Sequence, residues 1–191
     1  MEDVGAMSSS PKHSVLALSF WRLPVLLGLG VFVLDQLSKT AILRHWPMNT
    51  QTAVIPGFFS IVHFRNPGAA WGLFADHTGL LALLSAVVMA AMVFWFDHLV
   101  EGFPERAMAL GAVFGGIAGN LVDRVVHGEV VDFILVFWRT FQWPAFNVAD
   151  SAISCGVTIF VLSSFLRQQP TVATAWPDGA PPAGEPPASS P

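Results

Sequence analysis

Residues 120–150 read NLVDRVVHGEVVDFILVFWRTFQWPAFNVAD and set three aspartates, Asp123, Asp132 and Asp150, among long apolar runs. Only 12% of the 191 residues are charged, so each of these acids stands out. Asp123 is followed directly by Arg124, Asp132 lies inside Val130-Val131-Asp132-Phe133-Ile134-Leu135, and Asp150 opens the last hydrophobic segment. An ionised aspartate near the centre of a membrane helix costs about 2.5–3.5 kcal/mol on insertion scales, so acids kept in such surroundings usually have a task. Asp132 and Asp150 are therefore read as a catalytic carboxylate pair, brought together by the rest of the chain at one membrane surface.

The surrounding composition supports a membrane setting. Hydrophobic residues make up 53% of the chain and the mean hydropathy is +0.59, far toward the membrane class. Four apolar segments, roughly 16–37, 79–96, 106–121 and 149–166, have about the length a bilayer crossing needs. The first is read as a retained helix and not a cleaved signal peptide, because it is long, lacks a small-residue cleavage site and closes on Asp35-Gln36-Leu37-Ser38-Lys39. A net charge of −4 without a basic cluster argues against a nucleic-acid partner. The one cysteine, Cys155, falls in the fourth segment and reads as a packing residue.

Between these segments the chain is polar and broken. Residues 1–14 read as a flexible lead, 15–168 as the membrane domain, and 169–191, rich in Pro, Ala and Gly, as a disordered tail. Asp35 and Lys39 are four apart and share a helical face, either as an ion pair that closes a helix at the interface or as part of a site. Two β-prone runs, 52–55 and 58–64, flank Pro56-Gly57 and predict a hairpin. The stretch Asn66-Pro67-Gly68-Ala69-Ala70-Trp71-Gly72-Leu73-Phe74 predicts a short helix on the membrane surface. Gly111, Gly115 and Gly119 recur at intervals of four and predict close helix packing. Residues 125–148 form a second return to the polar side. Asn147 suits the cap of the last helix, and Asp150 would then fall in its first turn, where a carboxylate is favoured whether or not it is catalytic.

Four alternating helices must place the end of the first, the start of the second, the end of the third and the start of the fourth on one face. Asp35, Lys39, Asn66, Asn120, Asp123, Arg124, Asp132, Asn147 and Asp150 all fall at those points or in the two loops between them. Parity alone gathers them. The cations Lys12, Arg22, Arg106 and Arg167 on one side and Lys39, Arg44, Arg65, Arg124 and Arg139 on the other do not settle which face is cytoplasmic. Two close carboxylates resist double ionisation, so one serves as base toward water while the other, protonated, polarises a carbonyl. That is peptide hydrolysis without a metal, a cofactor or a covalent intermediate. The chain has no Gly-x-Ser-x-Gly, and its six histidines, read as surface or interface residues, show no zinc spacing.

Five blocks in order resemble bacterial lipoprotein signal peptidase (signal peptidase II). They are Asp35-Gln36-Leu37-Ser38-Lys39, Asn66-Pro67-Gly68-Ala69-Ala70-Trp71, Gly115-Gly116-Ile117-Ala118-Gly119-Asn120-Leu121-Val122-Asp123-Arg124, Val130-Val131-Asp132-Phe133 and Pro144-Ala145-Phe146-Asn147-Val148-Ala149-Asp150. The resemblance implies an α-helical polytopic protein of the inner membrane, with four transmembrane helices, a small periplasmic β-cradle and an interfacial helix. It implies both termini in the cytoplasm, the site facing the periplasm, and action on diacylglyceryl-modified prolipoproteins in membrane lipid, cut just before the lipobox cysteine; a monomer is expected. Carried over by motif, Asp132 and Asp150 are the catalytic pair. Asp35, Lys39, Asn66, Gly68, Asn120, Asp123, Arg124 and Asn147 support them or hold substrate. Asp123, the rival for the pair, is expected in an ion pair with its neighbour Arg124. Two other readings stay open: a metal-dependent lipid phosphotransferase, which would lose activity to a chelator, and a proton-coupled transporter.

Overall fold

The computed structural model describes residues 12–68, 73–75 and 77–167. The tail expected over 169–191 and most of the lead expected over 1–14 lie outside the described residues. Of the surface helix expected within 66–74, the central residues 69–72 lie outside the described ones; Asn66 ends a strand, Pro67 and Gly68 form a bend, and Leu73–Ala75 a turn.

Helix α1 spans Lys12–His45 and continues well past the predicted end at Leu37. Its buried positions Pro24, Gly28, Asp35, Lys39 and Ile42 recur at helical spacing and form one narrow stripe, while the side chains around them are mostly exposed. In a bilayer that exposed surface meets lipid, so the buried stripe is where polar groups are tolerated. The stripe packs on α4 (Pro104–His127), the central helix, which lies between α1 and α5 (Val148–Leu166). The glycines explain the closeness. A Cβ on Gly111 or Gly115 would run into the backbone carbonyls of Pro24 and Gly28, and one on Gly116 would lie 2.6 Å from the Ala149 carbonyl oxygen. Small residues let backbones meet where apolar burial alone cannot drive helices together.

Among the described residues, three helices are long and apolar enough to cross a membrane: α1 over Trp21–His45, α4 and α5. The remaining apolar helix, α2 (Thr78–Phe94), has 17 residues and none buried. It is followed by the short α3 (Phe96–Val100), which ends on left-handed Glu101.

The expected hairpin forms as β1 (Gln51–Ile55) and β2 (Phe59–Asn66), turning at Gly57 with φ +75°. The sheet is larger than that hairpin. Residues 130–138, read as part of an irregular return, form β3 (Val130–Trp138), and β4 (Phe141–Gln142) completes an antiparallel order β1-β2-β3-β4. Val131, Asp132, Phe133 and Leu135 are all buried. A strand covered on both faces shows no alternation, so its apolar run cannot be told from a helix segment by period. Ile42 of α1 packs with Val131 and Phe133 of β3, tying the sheet to the end of α1. His63, expected at a surface, is buried in β2, and its Nδ1 lies 2.8 Å from the Trp46 carbonyl just past α1.

Candidate active site

Each polar residue gathered by parity reaches the same region, from five different elements. Asp35 and Lys39 come from α1, Asn66 from the end of β2 with Gly68 in the bend just past it, Asn120, Asp123 and Arg124 from α4, Asp132 from β3, and Asp150 from the first turn of α5 with Asn147 as its cap. They divide into a buried ion cluster and an open cavity.

The ion cluster centres on Lys39, which is 2% exposed. Its ammonium donates to Asp35 Oδ2 at 2.8 Å, Asp123 Oδ2 at 2.9 Å and Asn120 Oδ1 at 2.8 Å, which uses all three of its protons. The two carboxylates are satisfied further. Asp35 Oδ1 accepts from the Ala149 amide at 2.9 Å, Asp123 Oδ2 from the Val131 amide, and Gln36 Nε2 donates toward both acids. The Asp35–Lys39 pair thus forms as its spacing predicts, but inside the helix packing and away from any helix end. The expected Asp123–Arg124 pair does not form. Adjacent helical side chains point in different directions: Asp123 turns to Lys39, and Arg124 Nη2 donates to the Gly68 carbonyl at 3.0 Å. Gly68 sits too close to Leu73 and Ala75 to carry a side chain, since a Cβ would lie 2.6 Å from the Leu73 carbonyl oxygen.

The cavity, about 550 Å³, is lined on its polar side by Asn66, Gly68, Asn120, Arg124, Asp132 and Asp150. Asn66 lies opposite Val130 in the β2–β3 register and reaches diagonally to Asp132, its Nδ2 donating to Oδ2 at 3.1 Å. Asp150 is fixed by the capping box expected of Asn147. The Asp150 amide donates to Asn147 Oδ1 at 2.9 Å, and the Asn147 amide donates to Asp150 Oδ2 at 3.2 Å. Asn147 also holds the other acid, its Nδ2 donating to Asp132 Oδ1 at 2.8 Å. One asparagine therefore touches both carboxylates. Asn120 completes the frame by donating to Asp150 Oδ1 at 2.7 Å.

The two asparagines are orientated by what surrounds them. Lys39 can only donate, so the Asn120 oxygen faces it and the Asn120 NH2 is turned to Asp150. Each oxygen of Asp132 and Asp150 consequently receives a hydrogen bond from an amide group. Burial pushes the Asp132 carboxyl up to about 7, and the Asp150 charge adds to that. The amides of Asn66 and Asn147 and the charge of Lys39 act in the opposite direction without overcoming burial. Two carboxyl groups held at one cavity, one of them raised toward neutrality, are suited to proton transfer in both directions. Among the described residues no three His, Cys, Asp or Glu side chains are grouped as metal ligands.

The remaining cavity wall was less legible in the sequence. Trp143, Phe146, Ser151, Ser154 and Cys155 line it. Cys155 is exposed, not packed as expected. Its position was readable from spacing, because 151, 154 and 155 follow Asp150 along one helical face. Gln36, inside the block Asp35-Gln36-Leu37-Ser38-Lys39, joins the site by donating to both acids of the ion cluster, a contact that no local pattern signals.

Residues 27–166 match the family model described as signal peptidase (SPase) II. A lipoprotein signal peptidase of Pseudomonas aeruginosa (strain UCBPP-PA14) is 47% identical over 152 residues, covering 76% of this chain and 90% of that protein. One of Geobacter sulfurreducens is 44% identical over 144 residues, covering 74% and 90%. One of Listeria monocytogenes serotype 4b is 35% identical over 146 residues, covering 76% and 95%. A bacterial membrane enzyme solved at 2.3 Å by the in meso method superposes with a TM-score of 0.71 at 31% identity, over 75% of this chain and 87% of that one.

Proposed function

Because the chain belongs to the signal peptidase II family, whose members remove signal peptides from prolipoproteins, we propose that it does so by aspartate chemistry at Asp132 and Asp150. Membership displaces the phosphotransferase and transporter alternatives. The observation that carries the mechanism is Asn147, which binds both carboxylates at the wall of one cavity. Asp150, ionised, takes a proton from water as the water oxygen attacks the scissile carbonyl carbon. Asp132, protonated, gives its proton to the carbonyl oxygen. Collapse of the tetrahedral intermediate breaks the C–N bond and returns a proton to the leaving amine. Arg124, fixed by Gly68, faces the same cavity and suits a substrate carbonyl. Asp123, committed to Lys39, supports the frame instead of reacting.

The substrate on this reading is a diacylglyceryl-modified prolipoprotein cut before its lipobox cysteine, at the periplasmic face of the inner membrane, by a monomer with both termini in the cytoplasm. Helix parity supports the shared face. It needs α2 as the fourth span: 17 residues rise about 25 Å, the short end of what crosses a bilayer, and Trp95 at its end suits the interface. Acyl chains held in lipid contribute about 0.8 kcal/mol per buried methylene, so the lipidated precursor is expected to be cleaved at least a hundredfold faster than the unlipidated one. A cleavage assay in detergent on both forms, with and without chelator, tests this. Equal rates would remove the lipid from recognition, and loss of activity to chelator would remove the two-aspartate mechanism.

The pH profile follows from Asp132. With its carboxyl raised to about 7, it is protonated below that value and ionised above it. The singly protonated pair is the active form, so kcat should fall as pH rises through the neutral-to-alkaline range, and fall again in acid when both groups are protonated. A rate that stays flat into alkali would show that no shared proton is needed.

A further inference from the structure

The tip of the sheet carries an exposed apolar surface, of which Trp143 alone also lines the catalytic cavity. The β2–β3 register brings the β1–β2 turn beside the end of β3, with the Phe137 amide donating to the Phe58 carbonyl at 2.8 Å. Ile55, Phe58, Trp138, Phe141 and Trp143 are therefore neighbours at one end of the sheet, all of them exposed, Trp138 by 67%. Phe141 and Trp143 stack edge to face, centroids 6.1 Å apart. Arg139 sits in the connecting turn, exposed and left-handed at φ +58°. Such an apolar cluster facing water marks an interaction site.

Two observations identify the occupant. The first is level. Trp143 lines the cavity wall together with Ser154 and Cys155, and Cys155 lies about 7 Å along α5 from Asp150. Trp143, which directly follows the hairpin, thus stands level with the first two turns of α5, at the border of its apolar span. The second is charge. Residues 46–66 and 130–142 contain one carboxylate, Asp132, and it is buried, whereas Arg65 and Arg139 are the cations. Aromatic rings beside an arginine, with no exposed acid, complement the phosphate layer of a bilayer.

We propose that the β3–β4 hairpin, with the β1–β2 turn beside it, docks on the phospholipid surface next to the mouth of the catalytic cavity and sets the depth at which Asp132 meets the peptide. Asp132 and Trp138 belong to the same strand, so anchoring its end fixes the height of the carboxylate. The inference rests on the reading of the chain as a bilayer-spanning peptidase.

The test uses the full chain in phosphatidylethanolamine–phosphatidylglycerol vesicles. Lipids brominated near the headgroup end of the acyl chain should quench the fluorescence difference between wild type and Trp138→Phe at least twofold. An unquenched difference overturns the docking. In the same vesicles, Trp138→Ser/Phe141→Ser should lower kcat/KM on lipidated precursor at least tenfold, and less than twofold in detergent micelles. An equal loss in both media overturns the proposal, because the hairpin would then touch substrate or merely hold the fold. Arg139→Glu, in an exposed turn, should cut activity at least threefold in anionic vesicles and leave it unchanged in zwitterionic ones. An equal effect in both overturns the phosphate contact. If wild type cleaves nothing, the peptidase reading fails, and the quenching alone still decides the docking.

Discussion

Asp132→Asn and Asp150→Asn are each expected to lower cleavage at least a thousandfold while the protein inserts at wild-type levels. Positioned proton transfer is worth about 10²–10⁴-fold per group, and an amide can do neither half of it. The geometry also says how the folded state responds. Both oxygens of Asp132 face NH2 donors, from Asn66 and Asn147, so an amide at 132 must turn its own NH2 against one of them. One hydrogen bond is lost, at a cost of about 1 kcal/mol, while the repulsion that the ionised form of Asp132 has with Asp150 disappears. The balance is small, so loss of rate will not be explained by loss of fold. Groups that act as a unit are non-additive, and the double variant should be about as inactive as either single one. Turnover of a single variant above a tenth of wild type would remove that residue from the pair.

The limits of what the sequence carried follow from the kinds of force involved. Three of the four expected spans are legible because hydropathy sums over many residues, and the polar motifs that four-helix parity would gather do meet in one region. Helix ends are not legible. The polar residues that begin after Leu37 and Leu121 suggest helix ends there, yet α1 runs to His45 and α4 to His127, because Lys39 and Asp123 satisfy each other inside the packing. An ion pair across two helices is invisible to a local pattern, and the neighbour Arg124 was the wrong partner for that reason. The cap at Asn147 was readable from residue type. Its second role, holding Asp132 across the cavity, required β3 to be a strand, and the doubly covered run at 130–135 gave no alternation from which to see it. The glycine spacing on α4 was informative because close backbone approach has one solution, the missing side chain.

Lys39→Met should be the most destabilising single change in the site, by about 3–5 kcal/mol, and should take activity with it. Breaking a buried pair from one side leaves the partner charge uncompensated, which is what costs that much. Here two carboxylates lose their cation at once, Asp35 and Asp123. Asp35 keeps the Ala149 amide and Asp123 keeps Val131 and Gln36, so the penalty is reduced but not removed. The same substitution frees Asn120. Its oxygen retains only the 3.2 Å contact from Asn147, the amide is no longer held with its NH2 toward Asp150, and kcat should fall further than KM rises. The two effects separate in a second variant. Lys39→Met/Asp123→Asn removes one of the stranded charges, so it should recover part of the thermal stability measured in detergent, whereas kcat should stay low because Asn120 is still unanchored. A Lys39→Met protein that melts with wild type would show that the carboxylates do not depend on this cation. A double variant that regains stability and kcat together would reduce Lys39 to a counter-ion and leave the orientation of Asn120 to Asn147 alone.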